Sequence, residues 1–115
     1  MRAILIDPKL EEIKEIQLET DEDNEPTLES FYKHMDCDLI ERIVAENGKL
    51  QIVLDEEGTF KSGNKLFMFY PTESVYPEEF VGKAIVTGYD FTELPEDITL
   101  DFIKSQTEFV GGEIA

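Results

Sequence analysis

Asn47-Gly48 is the most constraining pair of residues in this chain. The dipeptide is preferred at the centre of a type I′ turn, and such a turn joins two antiparallel strands. Leu50, Ile52 and Leu54 recur at every second position after it, the period of a strand with one buried face. Leu39, Ile40, Ile43 and Val44 before it also fit one or two helical turns, but the turn chemistry favours a strand. The expectation is a hairpin with strands Ile40–Ala45 and Leu50–Leu54, so the fold must contain an antiparallel sheet.

Other segments extend that sheet. Met1 to Ile6 is a short apolar run stopped by Asp7-Pro8, and Ile16-Gln17-Leu18-Glu19 alternates, so the two read as an antiparallel pair. Leu66 to Tyr70 is a continuous bulky run, expected as a central strand buried on both faces. Lys83 to Tyr89 reads as another strand, Thr59–Lys61 as a short returning one, and Phe109-Val110 as a last one. Pro71 to Gly82, with two prolines, reads as a loop.

Two helices are expected. Leu28, Phe31, Tyr32 and Met35 sit at i, i+3, i+4 and i+7, the apolar stripe of an amphipathic helix over Thr27–Asp36. Pro26 suits its entry, and the acids before it complement the helix N-terminus. A shorter helix spans Thr99 to Gln106. The fold class is therefore α+β, a mostly antiparallel sheet of five to six strands with both helices on one face. The 115 residues form a single domain, 1–115, with 110–115 as a flexible tail.

Charge narrows the class of partner. Asp and Glu number 27 against 10 Lys and Arg, a formal net charge of −17. Such a surface repels nucleic acid and anionic membrane and attracts basic protein faces. The chain is nevertheless 41% apolar with 8 Phe, so it is not a disordered acidic polymer. A single cysteine fits a reducing compartment, and no apolar run approaches 18 residues, so the chain reads as cytoplasmic.

The opening MRAILIDP, the following EIQLE, the central VLDEEGTFKSGN and the later FVGKAIVTGYD resemble a family of small phage- and plasmid-borne proteins known only as a domain of unknown function. The resemblance spans most of the chain. It implies a mobile-element setting and supplies no activity and no catalytic residues. The acidic TDEDNE segment lies outside the pattern.

The chemistry-bearing residues favour no enzyme and no cofactor. His34 and Cys37 could pair as base and nucleophile, but Asp36 and Asp38 oppose a thiolate and no second Cys or His completes a zinc site. A calcium loop starting at Asp21 would place Pro26 where the turn needs Gly, and Tyr32 where a bidentate Glu is needed. No metal site is expected. Asp55-Glu56-Glu57-Gly58 is explained by turn preference. The aromatics Phe67, Phe69, Tyr70, Tyr76, Phe80, Tyr89 and Phe91 lack the basic groove of a nucleic-acid binder and read as core, with Tyr76 and Phe80 the most exposed.

The leading expectation is a small acidic interaction module, sharpened as a DNA-mimic inhibitor of a basic host protein. Asp21, Glu22, Asp23, Glu25, Glu29, Asp55, Glu56 and Glu57 are its candidate partner-binding residues, and the acids from Asp21 to Glu29 are expected to share one face with at least one distant group, such as Asp55–Glu57 or Glu96–Asp97. Folded monomers of this mass expose about 6,400 Å², so the charge averages about one per 380 Å². Duplex DNA carries about one per 110 Å², so mimicry requires the acids to concentrate. The alternatives are a small-ligand protein or enzyme with a pocket near Tyr76 and Tyr89 in the 71–91 region, and an accessory domain whose charge serves only solubility.

Overall fold

The computed structural model describes residues 1–61 and 63–113, which form two antiparallel sheets and two helices. The large sheet holds β1 (Arg2–Asp7), β2 (Glu12–Gln17), β3 (Ile40–Ala45), β4 (Leu50–Asp55) and β7 (Ala84–Gly88), in the order β2-β1-β7-β4-β3. The small sheet holds β5 (Lys65–Phe69), β6 (Glu78–Val81) and β8 (Thr107–Glu113), in the order β6-β5-β8. Helix α1 is Leu28–Met35 and α2 is Leu100–Ser105. The fold is α+β.

The hairpin stands as expected, with Ile40 opposite Asp55 and Ala45 opposite Leu50. Its connection is longer than a two-residue turn. Glu46, Asn47 and Gly48 all take positive φ, and the Gly48 N–H donates to Ala45 O at 3.2 Å. Glu46 tolerates that conformation because its buried carboxylate accepts from the Thr72 N–H at 2.9 Å.

The core is double. Ile4, Ile6, Ile52, Leu54, Ala84 and Val86 face the small sheet and pack on Phe67, Phe69 and Phe80. Ala3, Leu5, Val53 and Ile85 face the other way, onto Phe31 and Met35 of α1. The three central strands β1, β7 and β4 are thus apolar on both sides and need a cover on each. That need separates the helices. Helix α1 covers one face, while Ile103 of α2 joins the other core, so the helices are not on one face as the sequence suggested.

Other expectations change for local reasons. The described residues hold eight strands rather than five or six, because the sheet is split in two. Leu66–Phe69 is indeed central, but in the small sheet, and only Phe67 and Phe69 are buried. Phe80 is buried rather than exposed, because Glu78–Val81 forms a strand inside the segment read as loop. Gly58–Phe60 is a 3-10 turn, not a strand: a Cβ at Gly58 would lie 2.8 Å from Val81 O, so the chain passes under the end of β6. Val110 to Glu113 continue β8, with Glu113 opposite Lys65, where a tail was expected to begin; 114–115 lie outside the described residues. Among the described residues no helix is long and apolar enough to cross a membrane.

Candidate functional site

The loop between β2 and α1 carries the densest acids, and its backbone holds them outward. Thr20 and Pro26 form an isolated bridge, and the Asp21 N–H donates to Glu25 O at 2.8 Å. Asp21 Oδ1 accepts from the N–H groups of Asp23 at 2.9 Å and Glu25 at 3.1 Å. Asn24 supplies the left-handed residue that closes the turn, a conformation Asn tolerates well. Asp21 therefore builds the loop, while Glu22, Asp23 and Glu25 project into solvent.

The loop feeds straight into α1. Thr27 Oγ1 accepts from the Ser30 N–H as an N-cap, and the Ser30 hydroxyl accepts from the Glu19 N–H, tying the helix start to the end of β2. Glu29, exposed in the first turn, continues the acidic surface and is favoured there by the helix dipole. None of Asp21, Glu22, Asp23, Glu25 and Glu29 forms an ion pair among the described residues.

Strand register decides which other acids join them. Arg2 lies opposite Gln17, and Gly88 lies opposite Leu50, so the loop leaves the sheet at the end where β7 finishes and β4 starts. Asp55 is at the far end of β4, beside Ile40. Six residues of strand separate these ends by about 20 Å. Glu56 and Glu57 are exposed at that far end, so they do not share the surface of Asp21–Glu29.

Asp55 is not a surface residue at all. Its side chain is 6% exposed, pairs with Lys61 at 2.7 Å and accepts from the Glu57 N–H at 2.9 Å. Asp55 therefore leaves the candidate set. Glu96 and Asp97 do lie at the loop's end of the sheet, because the Arg2 guanidinium donates to the carbonyls of Leu94, Pro95 and Ile98. They sit on the small-sheet side, since Leu94 and Ile98 belong to that core.

Asp90, outside the candidate partner-binding set, is a further acid at this end. Asp90 and Phe91 both have positive φ, in a tight turn just after β7. Phe91 packs edge-on against Phe31 at 5.7 Å, and Asp90 pairs with Arg42 at 3.1 Å. Arg42 lies over the Tyr89 and Phe91 rings at 5.8 and 5.4 Å. A lone Arg within a strand, here between Glu41 and Ile43, gives no sequence signal for such a contact.

Cys37 is buried, and that burial, with the Asp55 charge adding to it, pushes its thiol up from 9.0 to about 11. Among the described residues no three His, Cys, Asp or Glu side chains are grouped to hold a metal ion. Lys83 lies 2.8 Å from Asp36 and holds its carboxyl below the usual carboxylate range. Tyr76 is exposed, and neither it nor Tyr89 lines any of four surface clefts found among the described residues.

No curated protein matches the chain, and no solved structure does. One family does, over nearly the full length, and the match takes in both sheets and both helices. It covers residues 1–112, and the chain belongs to that family, described as a domain of unknown function (DUF3846).

Proposed function

We propose that this protein is a small acidic interaction module that meets a basic protein surface, in the phage or plasmid setting that the sequence resemblance implies. The observation that carries the reading is the run of exposed carboxylates at Glu22, Asp23, Glu25 and Glu29, none of them paired with a Lys or Arg among the described residues. Six acids elsewhere, Glu12, Glu15, Asp36, Asp55, Asp90 and Asp97, each have a cation; what sets the loop apart is that its unpaired acids follow one another closely along an exposed stretch. Unpaired acids on one end steer a cationic partner and speed encounter.

The surface measures 6516 Å². Divided among 17 net charges, that is about one per 380 Å², too sparse for the whole body to imitate DNA at about one per 110 Å². Imitation of a DNA backbone, the sharper form of the reading, therefore rests on the loop end alone.

The test uses a basic partner captured from host lysate. Glu22→Gln, Asp23→Asn and Glu25→Gln together leave Asp21 to hold the loop. The triple variant should associate about fivefold or more slowly at low salt, with little change in dissociation. Equal association rates for variant and wild type at low salt would remove the loop from recognition.

A further inference from the structure

The two sheets enclose a sandwich whose sides differ. On one side α2 packs against β2 and β8 and closes the gap. On the other side the edge strands β3 and β6 face each other with no strand or α-helix between them among the described residues, leaving a cleft of about 240 Å³ beside the Gly58–Phe60 turn. Its floor is apolar: Ile43, Leu54 and Phe80 belong to or pack on the core between the sheets. Its rim is acidic. Glu41 shares the face of Ile43, Glu78 shares the face of Phe80, and Glu56 and Glu79 lie beside them, with Asp55, Thr59 and Val81 as further lining.

The backbone of β3 is open along this side. The Glu56 N–H donates to Leu39 O at 3.0 Å, which fixes the phase of the ladder. Glu41, Ile43 and Ala45 then exchange hydrogen bonds with β4, and the N–H and C=O groups of Ile40, Arg42 and Val44 point outward. An open edge of this kind accepts one more strand.

We propose that an extended segment of a partner protein, with Lys or Arg at every second position and small apolar residues between, adds to β3 and fills this cleft. The alternation follows from the site. Residues of an added strand that face the cleft would lay their aliphatic stems on Ile43 and Phe80 and bring their cations to Glu41, Glu56, Glu78 and Glu79, none of which is ion-paired among the described residues. Residues on the opposite face would lie beside Val44, which is 45% exposed. A second copy of this chain is disfavoured as the occupant, because it would bring another −17 against the same carboxylates. The cleft is separate from the Asp21–Glu29 surface, so the proposal does not rest on the loop acting in recognition.

The test titrates the amide-labelled protein with two capped seven-residue peptides of equal charge, one alternating Lys and Val, the other alternating Lys and Gly. The Lys/Val peptide should bind at least tenfold more tightly and protect the amides of Ile40, Arg42 and Val44 from exchange. Glu41→Gln, Glu78→Gln and Glu79→Gln together should weaken it at least tenfold, while the loop triple variant should not. Val44→Pro, which removes an outward-facing N–H and leaves the β3–β4 ladder whole, should block the protection. Equal binding of the two peptides would overturn the proposal. So would shifts centred on residues 21–29, indifference to the glutamate variants, or a dimer of the free protein with β3 already protected.

Discussion

Glu46 is held in the hairpin turn by two opposing effects whose balance can be measured. Its φ of 55° disfavours a residue with a Cβ, and its 7% exposure removes the carboxylate from water. The left-handed conformation costs about 1 kcal/mol relative to Gly. Against this, the carboxylate accepts from the Thr72 N–H at 2.9 Å and from Gln106 Nε2 at 3.4 Å. Hydrogen bonds to a charged group contribute about 1.5–3 kcal/mol, and the low end applies because Thr72 is exposed. Glu46→Ala keeps the strain and loses the bonds, so it should destabilise by about 1.5 kcal/mol. Glu46→Gly loses the bonds and relieves the strain, for a net loss of about 0.5 kcal/mol. Glu46→Gln retains an acceptor and should also lose about 0.5 kcal/mol. Calorimetry should show Tm falling by about 6 °C for Ala and about 2 °C for each of the others. Urea titrations with unchanged slope would confirm that the folded state alone was altered. If Ala and Gly are equally destabilised, the backbone strain is not real; if Ala matches wild type, the carboxylate does not hold the turn.

Three further outcomes follow from other groups. The Cys37 thiol, raised from 9.0 to about 11, should react with iodoacetamide at pH 8 about 100-fold more slowly than an unfolded-state cysteine, and urea should restore the rate; equal rates would place the thiol at the surface. Because the folded thiol keeps its proton while the unfolded one ionises, Cys37 contributes stability below pH 9 that is lost between pH 9 and about 11. Lys61, whose pKa is raised by its hydrogen bond to Asp55, adds a loss of the same sign above its usual 10.5, so alkaline unfolding should move to higher pH in Cys37→Ala if the thiol dominates. Phe31→Ala, which empties a fully buried site and its contact with Phe91, should cost about 3–5 kcal/mol by urea titration; a loss under 1 kcal/mol would mean α1 is not seated on the sheet.

What the sequence made legible was local. The stripe Leu28, Phe31, Tyr32, Met35 and the pair Asn47-Gly48 each act within one turn or one hairpin, and the helix and both strands lie where they indicate. What remained hidden depends on partners far along the chain. The split into two sheets rests on Phe67 finding Phe80 on one side and Phe109 on the other, and the helices part because β1, β4 and β7 are apolar on both faces. Among the candidate acids, Glu22, Asp23 and Glu25 could be read as exposed because Thr20–Glu25 holds no apolar residue, and Glu29 because it lies off the stripe Leu28, Phe31, Tyr32 and Met35. Asp55 could not: all six residues of Leu50–Asp55 are buried, so alternation does not say which way its carboxylate turns. Arg42 on its rings and the cleft between β3 and β6 exist only once distant strands meet.

The position of β7 sets the order in which the molecule can assemble. It lies between β1 and β4, joining the hairpin β1–β2 to the hairpin β3–β4. Both hairpins close over short stretches of chain, yet neither has a continuous core until residues 84–88 arrive to pair Ile4 with Val86 and Ile52 with the same residue. Synthesis at about 5–20 residues per second therefore leaves both hairpins waiting for seconds, with the inner edges of β1 and β4 bare. The strand that completes the large sheet lies at residues 84–88, so the sheet cannot close between β1 and β4 until that segment has been made.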